Sequence, residues 1–240
     1  MIYVTGDTHG EFSRFCDVAF PLESTLGATD YVLVCGDFGF VFYPEGTAKA
    51  ARQKEELDLL SQKPYTILFI DGNHENFHTL NAFPTKMWNG GRIHLLRPNI
   101  LHLMRGQVYT IDGKTLFTMG GAYSRDRFMR VKNQSYWEEE LPDNSEYREA
   151  TANLKEVQNR VDYIFTHTAP RQIILQYLRK IPDPHDAELT GFFDWLMENV
   201  QFSHWYFGHW HTDLAIGKRF HAMYMDTEPL ASLPLSKTNA

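Results

Sequence analysis

A layered α/β fold is predicted by three features of this 240-residue sequence. Short apolar runs rich in β-branched and aromatic residues recur along it. Each is followed at once by a polar turn carrying glycine, and helical patterns separate the early ones. Ile2 to Val4 runs into Gly6-Asp7-Thr8-His9-Gly10, Tyr31 to Cys35 into Gly36-Asp37, and Thr66 to Ile70 into Asp71-Gly72-Asn73-His74-Glu75. Their continuous apolar character is that of strands buried on both faces in a parallel sheet. Phe12 to Phe20 reads as a helix, and Thr47 to Gln62 more strongly so, with Leu57, Leu59 and Leu60 on a charged, alanine-rich stretch. The first 75 residues therefore read strand, helix, strand, helix, strand.

The later elements follow the same logic. Arg92 to Ile111 alternates short strands, and Thr115 to Met119 ends at Gly120-Gly121. Ala122 to Asn144 carries Arg125, Arg127, Arg130, Lys132, Trp137 and Glu138-Glu139-Glu140 without periodicity, and reads as an excursion or lid. Ser145 to Asn159 reads as a helix with Ser145 as its cap. Tyr163 to Phe165 is a strand running into Thr166-His167-Thr168-Ala169-Pro170, Pro170 to Arg179 and Glu188 to Asn199 are helices, and Trp205 to Phe207 runs into Gly208-His209-Trp210-His211. Leu214 to Met225 is a hairpin turning at Gly217-Lys218, and 228–240 reads as a surface tail. With no fixed-period repeat and no dividing linker, residues 1–240 are expected to form one domain.

Composition excludes several classes. Thirty acids against 23 bases leave a formal charge of −7, which argues against tight binding to duplex nucleic acid. Apolar stretches such as Ile67 to Ile70 are far short of the ~20 residues of a membrane helix. The N-terminus lacks the basic region and small-residue cleavage site of a signal peptide, so the cytoplasm is the expected compartment. Cys16 and Cys35 make no disulfide framework and are expected to be reduced and buried. The 11 histidines and 14% aromatic content are unusual, and only position can interpret the histidines.

Five polar clusters each follow an apolar strand: Asp7-x-His9, Gly36-Asp37, Gly72-Asn73-His74-Glu75, His167, and Gly208-His209-x-His211. The carboxyl ends of strands in open α/β sheets form the ligand crevice, so these clusters are expected to converge. Carboxylates, imidazoles and one amide oxygen, without cysteine, argue against a thiolate zinc site and suit manganese, iron, zinc or cobalt. Seven candidate ligands (Asp7, His9, Asp37, Asn73, His167, His209 and His211) exceed the needs of one catalytic ion and suffice for two sharing a carboxylate. Asp7 and His9, like His209 and His211, are two apart, so an extended strand end aims both to one side.

In this order, the motifs resemble those of the calcineurin-like metallophosphoesterases, from Asp7 to His211. The resemblance implies a four-layered α/β/β/α sandwich with a dinuclear site at the strand ends. Asp7, His9 and His211 would hold the first ion, Asn73, His167 and His209 the second, and Asp37 would bridge both. His74 would serve as general acid for the departing alkoxide or as an electrostatic donor while a bridging hydroxide attacks. The implied activity is phosphoester hydrolysis with two divalent ions, manganese foremost, on a phosphorylated substrate. A monoesterase is the leading form; a phosphodiesterase or nuclease, or a silent interaction scaffold, is the alternative. The phosphoprotein-phosphatase branch continues its second motif as GDxxDRG, where the second acid supports the histidine and the arginine holds phosphate. Here Phe38-Gly39-Phe40-Val41-Phe42 follows Asp37, and the sequence identifies no orienting partner for His74.

Other residues have plainer readings. His78, His94, His102, His185, His204 and His221 are expected in the core or on the surface. Glu75 is expected to cap or pair at a helix start, and Gly6, Gly36, Gly72 and Gly208 to permit tight turns. Arg125, Arg127 and Arg130 either grip a phosphate or sit in a solvated loop. Phe38, Phe40, Phe42 and Tyr43 either wall a pocket or pack in the core.

Overall fold

A computed structural model describes residues 1–233, and residues 234–240 lie outside that description. The first sheet contains β1 (Ile2–Thr5), β2 (Tyr31–Val34), β3 (Thr66–Phe69), β4 (Thr85–Trp88), β5 (Gly91–Arg97) and β6 (Ile100–Leu103). The second contains β7 (Gln107–Ile111), β8 (Lys114–Met119), β9 (Tyr163–Thr166), β10 (His204–Phe207), β11 (Leu214–Ile216) and β12 (Phe220–Ala222). The last strand, β13 (Glu228–Pro229), returns to the first sheet. The helices are α1 (Ala48–Leu60), the short α2 (Phe77–Asn81), α3 (Asn144–Glu156), α4 (Arg171–Ile173), which widens into a π turn over Ile174–Leu178, and α5 (Ala187–Asn199).

The sheet orders are β13-β1-β2-β3-β6-β5-β4 and β11-β12-β10-β9-β8-β7. Their centres, β1-β2-β3-β6 and β12-β10-β9-β8, are parallel, and antiparallel strands finish the edges. The central strands are buried on both faces because alternate residues enter different cores. Ile2, Val4, Leu33, Leu68 and Leu101 meet Tyr109, Leu116, Tyr163, Phe165 and Tyr206 between the sheets. Tyr3, Val32, Val34, Ile67 and Phe69 point outward against Leu57 and Leu60 of α1. On the opposite side, Phe117, Ile164, Trp205 and Phe207 pack against Ala150 and Leu154 of α3 and Leu189, Phe193 and Leu196 of α5. Helix, sheet, sheet and helix are thus four layers around three apolar clusters. Most of the aromatic surplus lies here.

Several local expectations change. Phe12 to Phe20 forms only a 3-10 turn over Phe12–Phe15. Phe20 precedes Pro21, which disfavours helical backbone there, and Arg14 turns inward to donate to Thr5 Oγ1 (2.8 Å). Cys16 is half-buried rather than buried, while Cys35 is buried; both are free thiols. Glu228–Pro229, expected in the tail, pairs antiparallel with β1; the tail's 234–240 portion lies outside the described residues. The strand β4 has exposed or half-buried residues throughout, so it lacks the apolar signal by which the others were read.

The cap of α3 is Asp143 rather than Ser145. Its Oδ1 accepts from Ser145 N (2.6 Å) and Glu146 N (3.0 Å), and Glu146 reaches back to Asp143 N (2.9 Å). Asp143→Ala removes half of this reciprocal capping box and is expected to cost about 1 kcal/mol, read as a lower denaturation midpoint. Among the described residues no helix is long and apolar enough to cross a membrane.

Candidate metal centre

Thr5, Val34 and Phe69 stand in register at the ends of β1, β2 and β3, so Asp7, Asp37 and Asn73 leave one common edge. Thr166 and Phe207 are paired in the second sheet, so His167 and His209 emerge beside each other. The eight residues singled out in the sequence meet where these edges face. His209 N donates to both oxygens of Asp7 (2.9 Å each), and His74 N donates to Asp37 Oδ1 (2.8 Å). His9 Nε2 and His211 Nε2 are 3.1 Å apart. Asp37 lies 3.4 Å from His167 Nε2, 3.9 Å from His9 Nδ1 and 4.0 Å from His74 Nε2. Three overlapping groups bring their ligand atoms within 4.8 Å of one another: Asp7, His9 and His211; His9, Asp37 and His74; and Asp7, Asp37 and His167.

Backbone conformation concentrates this chemistry. Asp7, His9, Asp37, His209 and His211 all have left-handed backbone, with φ between 47° and 69°. Non-glycine residues in that region cost of order 1 kcal/mol each, and such strain clusters at functional sites. Close approach is equally exacting. A Cβ on Gly36, itself at φ +86°, would strike the His167 ring, and one on Gly72 would strike Asp37 and lie 2.8 Å from His167 Nε2.

The donor and acceptor roles are strongly constrained. His167 Nδ1 is 2.9 Å from the Cys35 carbonyl, which can only accept, so the ring donates there and turns its Nε2 into the centre. Asn73 Nδ2 donates to Ser124 Oγ (3.2 Å), leaving Oδ1 to face His167 Nε2 (3.1 Å) and His209 Nδ1 (3.0 Å). Asn73 Oδ1, His167 Nε2 and Asp37 Oδ1 are therefore turned toward one another, two of them oxygens that only accept. A divalent cation would satisfy both oxygens and a neutral imidazole at once.

Electrostatics agree. Burial pushes the Asp37 carboxyl up, but the imidazoles of His167, His74, His9 and His209 outweigh it and hold the group below the usual carboxylate range. Asp7 is driven well above that range by burial and then by the charge of Asp37. Among the described residues, neither carboxylate has a lysine or arginine ion-pair partner. Burial lowers His9 to about 4 and His209 to about 3, so both are neutral at pH 7 and offer lone pairs without first losing a proton. This donor set fits divalent ions.

The remaining readings separate cleanly. Among the described residues, Glu75 neither caps a helix nor joins an ion pair. It is fully buried and accepts from Phe38 N and Gly72 N (2.7 Å each), tying the Asp37 loop to the Asn73 loop. Phe38 and Phe40 belong to the core; Phe42 lies against His74, with ring centroids 5.8 Å apart. His94 and His102 are buried, His204 and His221 half-buried, and His78 and His185 exposed. Arg127 is committed to Glu140 (3.0 Å) and the Trp137 carbonyl (2.8 Å). Arg130 Nη2 stands 3.0 Å from His74 Nε2, a partner for that histidine which the sequence did not disclose.

The family profile described as calcineurin-like phosphoesterase matches residues 1–213. Lariat debranching enzymes of Drosophila melanogaster and Drosophila pseudoobscura pseudoobscura are each 27% identical over 237 residues, covering 89% of this chain and 43% of theirs. The lariat debranching enzyme of Danio rerio is 25% identical over 239 residues, covering 89% of this chain and 40% of its own. The chain thus spans less than half the length of these curated relatives. A phosphopantetheinyl hydrolase structure from Mycobacterium tuberculosis aligns with 93% of this chain and 89% of its own at 14% identity and a TM-score of 0.42.

Proposed function

The chain belongs to the calcineurin-like phosphoesterase family, and from that premise we propose that it cleaves a phosphodiester with the help of two divalent ions. The convergence of Asn73 Oδ1, His167 Nε2 and Asp37 Oδ1, with no lysine or arginine paired to Asp37 among the described residues, carries this reading. Asp7, His9 and His211 would hold one ion and Asn73, His167 and His209 the other, with Asp37 shared. When bound, such ions supply Lewis acidity toward phosphoryl oxygens and lower the pKa of water. Manganese is the first ion to test. The carboxylates of Asp7 and Asp37, both buried, would neutralise part of the positive charge. His74, beside Asp37 and lining the cleft, would face a leaving-group oxygen.

The sequence alone put a monoesterase first. No residue around the centre selects a monoester, whereas the curated relatives are named for debranching lariats. Debranching severs a link between two parts of a molecule rather than removing a terminal phosphate, which is diester chemistry. The cleft also suits a leaving group larger than water-sized. Its cavity is about 340 Å³, Arg125 and Lys180 stand at its rim, and the His211 side chain is 50% exposed. The free thiols of Cys16 and Cys35 suit a reducing compartment such as the cytoplasm.

The test compares bis(p-nitrophenyl) phosphate with p-nitrophenyl phosphate, using protein loaded with Mn²⁺. Turnover is expected to be faster on the diester, to vanish with EDTA and to return on adding the metal. Faster monoester turnover would restore the monoesterase reading. No turnover of either ester with any divalent ion would remove the phosphoesterase reading altogether.

A further inference from the structure

We infer that Arg130, from the irregular segment 122–144, is a substrate-binding residue that takes a non-bridging oxygen of the phosphoryl group, an inference that rests on the phosphoesterase reading above. The guanidinium is held on two sides. Its Nε pairs with Asp126 Oδ1 at 2.7 Å, and its Nη1 donates to the Ser135 carbonyl at 2.9 Å. These contacts fix the plane of the group and leave Nη2 as its working end, in the cleft that Asp37, Asn73, His74, His209 and His211 also line. One Nη2 hydrogen is directed at His74 Nε2, 3.0 Å away. The second has no acceptor among the described residues.

A guanidinium has donors only, so His74 Nε2 accepts in this arrangement. An anionic oxygen is the stronger acceptor for a guanidinium hydrogen, because such a bond is charge-assisted on both sides. Substrate entering the cleft finds one free N–H and competes for the one given to His74.

Neither of the neighbouring arginines substitutes for it. Arg127 is spent on Glu140 and the Trp137 carbonyl, with its guanidinium over the rings of Tyr123 and Tyr136. Arg125 lies at the rim, 3.9 Å from Asp183, with its side chain 52% exposed. The second motif contributes no arginine, since Asp37 is followed by Phe38-Gly39-Phe40-Val41-Phe42. Arg130 fills that gap from a part of the chain remote in sequence.

The deciding measurements use Mn²⁺-loaded wild type, Arg130→Gln, Arg130→Lys and Arg130→Ala. Each is read for ester KM and kcat, for binding of inorganic phosphate by equilibrium dialysis, and for metal content. Arg130→Gln is expected to weaken both phosphate binding and KM by about tenfold to a hundredfold, the worth of a charged hydrogen bond, with metal content unchanged. Arg130→Lys keeps the charge but not the fork and should recover part of the loss. Free guanidinium should partly rescue Arg130→Ala, which a purely structural arginine would not allow. Phosphate affinity and KM unchanged in Arg130→Gln would overturn the inference while leaving the phosphoesterase reading intact, as would loss without rescue by lysine or guanidinium. If wild type turns over no ester yet binds phosphate through Arg130, the phosphoesterase reading falls and the anion site stands. No phosphate binding by metal-loaded wild type overturns the anion site.

Discussion

Asp37→Asn is expected to lower ester turnover by at least about 10³-fold, on the scale seen when a preorganised charged group is removed from a catalytic centre. The substitution keeps shape and size, and the amide oxygen can still accept from His74 N, as Asp37 Oδ1 does at 2.8 Å. Only charge and one acceptor are lost. Yet Asp37 is the group around which His167, His9 and His74 gather, at 3.4, 3.9 and 4.0 Å, and it lies in two of the three ligand groups. It is also the shared ligand in the proposed pair of ions. Metal content should therefore fall along with activity, and elemental analysis after desalting reads it directly. Metal content and turnover both equal to wild type would deny Asp37 any place in the centre. Asp7→Asn is the companion measurement, expected to disturb chiefly the ion held with His9 and His211.

The parts of the site that were legible share one property: each is a ligand-type residue within four positions of the end of a largely buried strand. Position and residue type therefore reinforced each other at Asp7, Asp37, Asn73, His167 and His209. The register of β1, β2 and β3, and of β9 with β10, then carried sequence order into spatial proximity. The four-layer packing was foreshadowed by the same strands, whose lack of alternation reflects two cores rather than one. The roles of Glu75 and Ser124, and the contact of Arg130 with His74, were illegible for the complementary reason. Their residue types are ordinary in loops, and their partners lie far off in sequence: Phe38 for Glu75, Asn73 for Ser124, His74 for Arg130. Phe12 to Phe20 misled because apolar spacing was weighed without the restriction that Pro21 places on Phe20. Ser145 misled because Asp143, two residues earlier, competes for the same free N–H groups and is paired with Glu146 at the right spacing.

The largest stability effect should come from a residue outside the centre. Asp71 is 1% exposed, and its carboxylate meets Arg105 at 2.8 Å (Nε) and 2.6 Å (Nη2) and His102 Nε2 at 3.1 Å. Burial pushes this carboxyl up, but Arg105 and His102 overcome it and hold the group below its usual range. Asp71→Asn leaves the buried Arg105 guanidinium with only the more exposed Glu146 as a charged partner (3.1 Å). Removing one member of a buried pair costs about 3–5 kcal/mol, and the residual Glu146 contact places the expectation near about 3. Because the folded-state pKa is depressed, the contribution is complete above the unfolded-state value of about 4 and is lost as pH falls below it. The penalty of Asp71→Asn should accordingly be full at pH 7 and smaller in acid, measured by urea denaturation at both. Arg105→Met added to Asp71→Asn removes the orphaned charge, so the double variant should be more stable than the sum of the single costs predicts. Arg105 also donates to the carbonyls of Glu139 (2.7 Å) and Glu140 (3.3 Å), and Glu140 in turn accepts from Ser124 N (3.0 Å), whose hydroxyl orients Asn73. A loss of stability at Asp71 should therefore be accompanied by weaker metal retention, although no atom of Asp71 belongs to the proposed ligand set. Strict additivity in the double variant, or a penalty independent of pH, would mean that the ion pair contributes shape rather than charge.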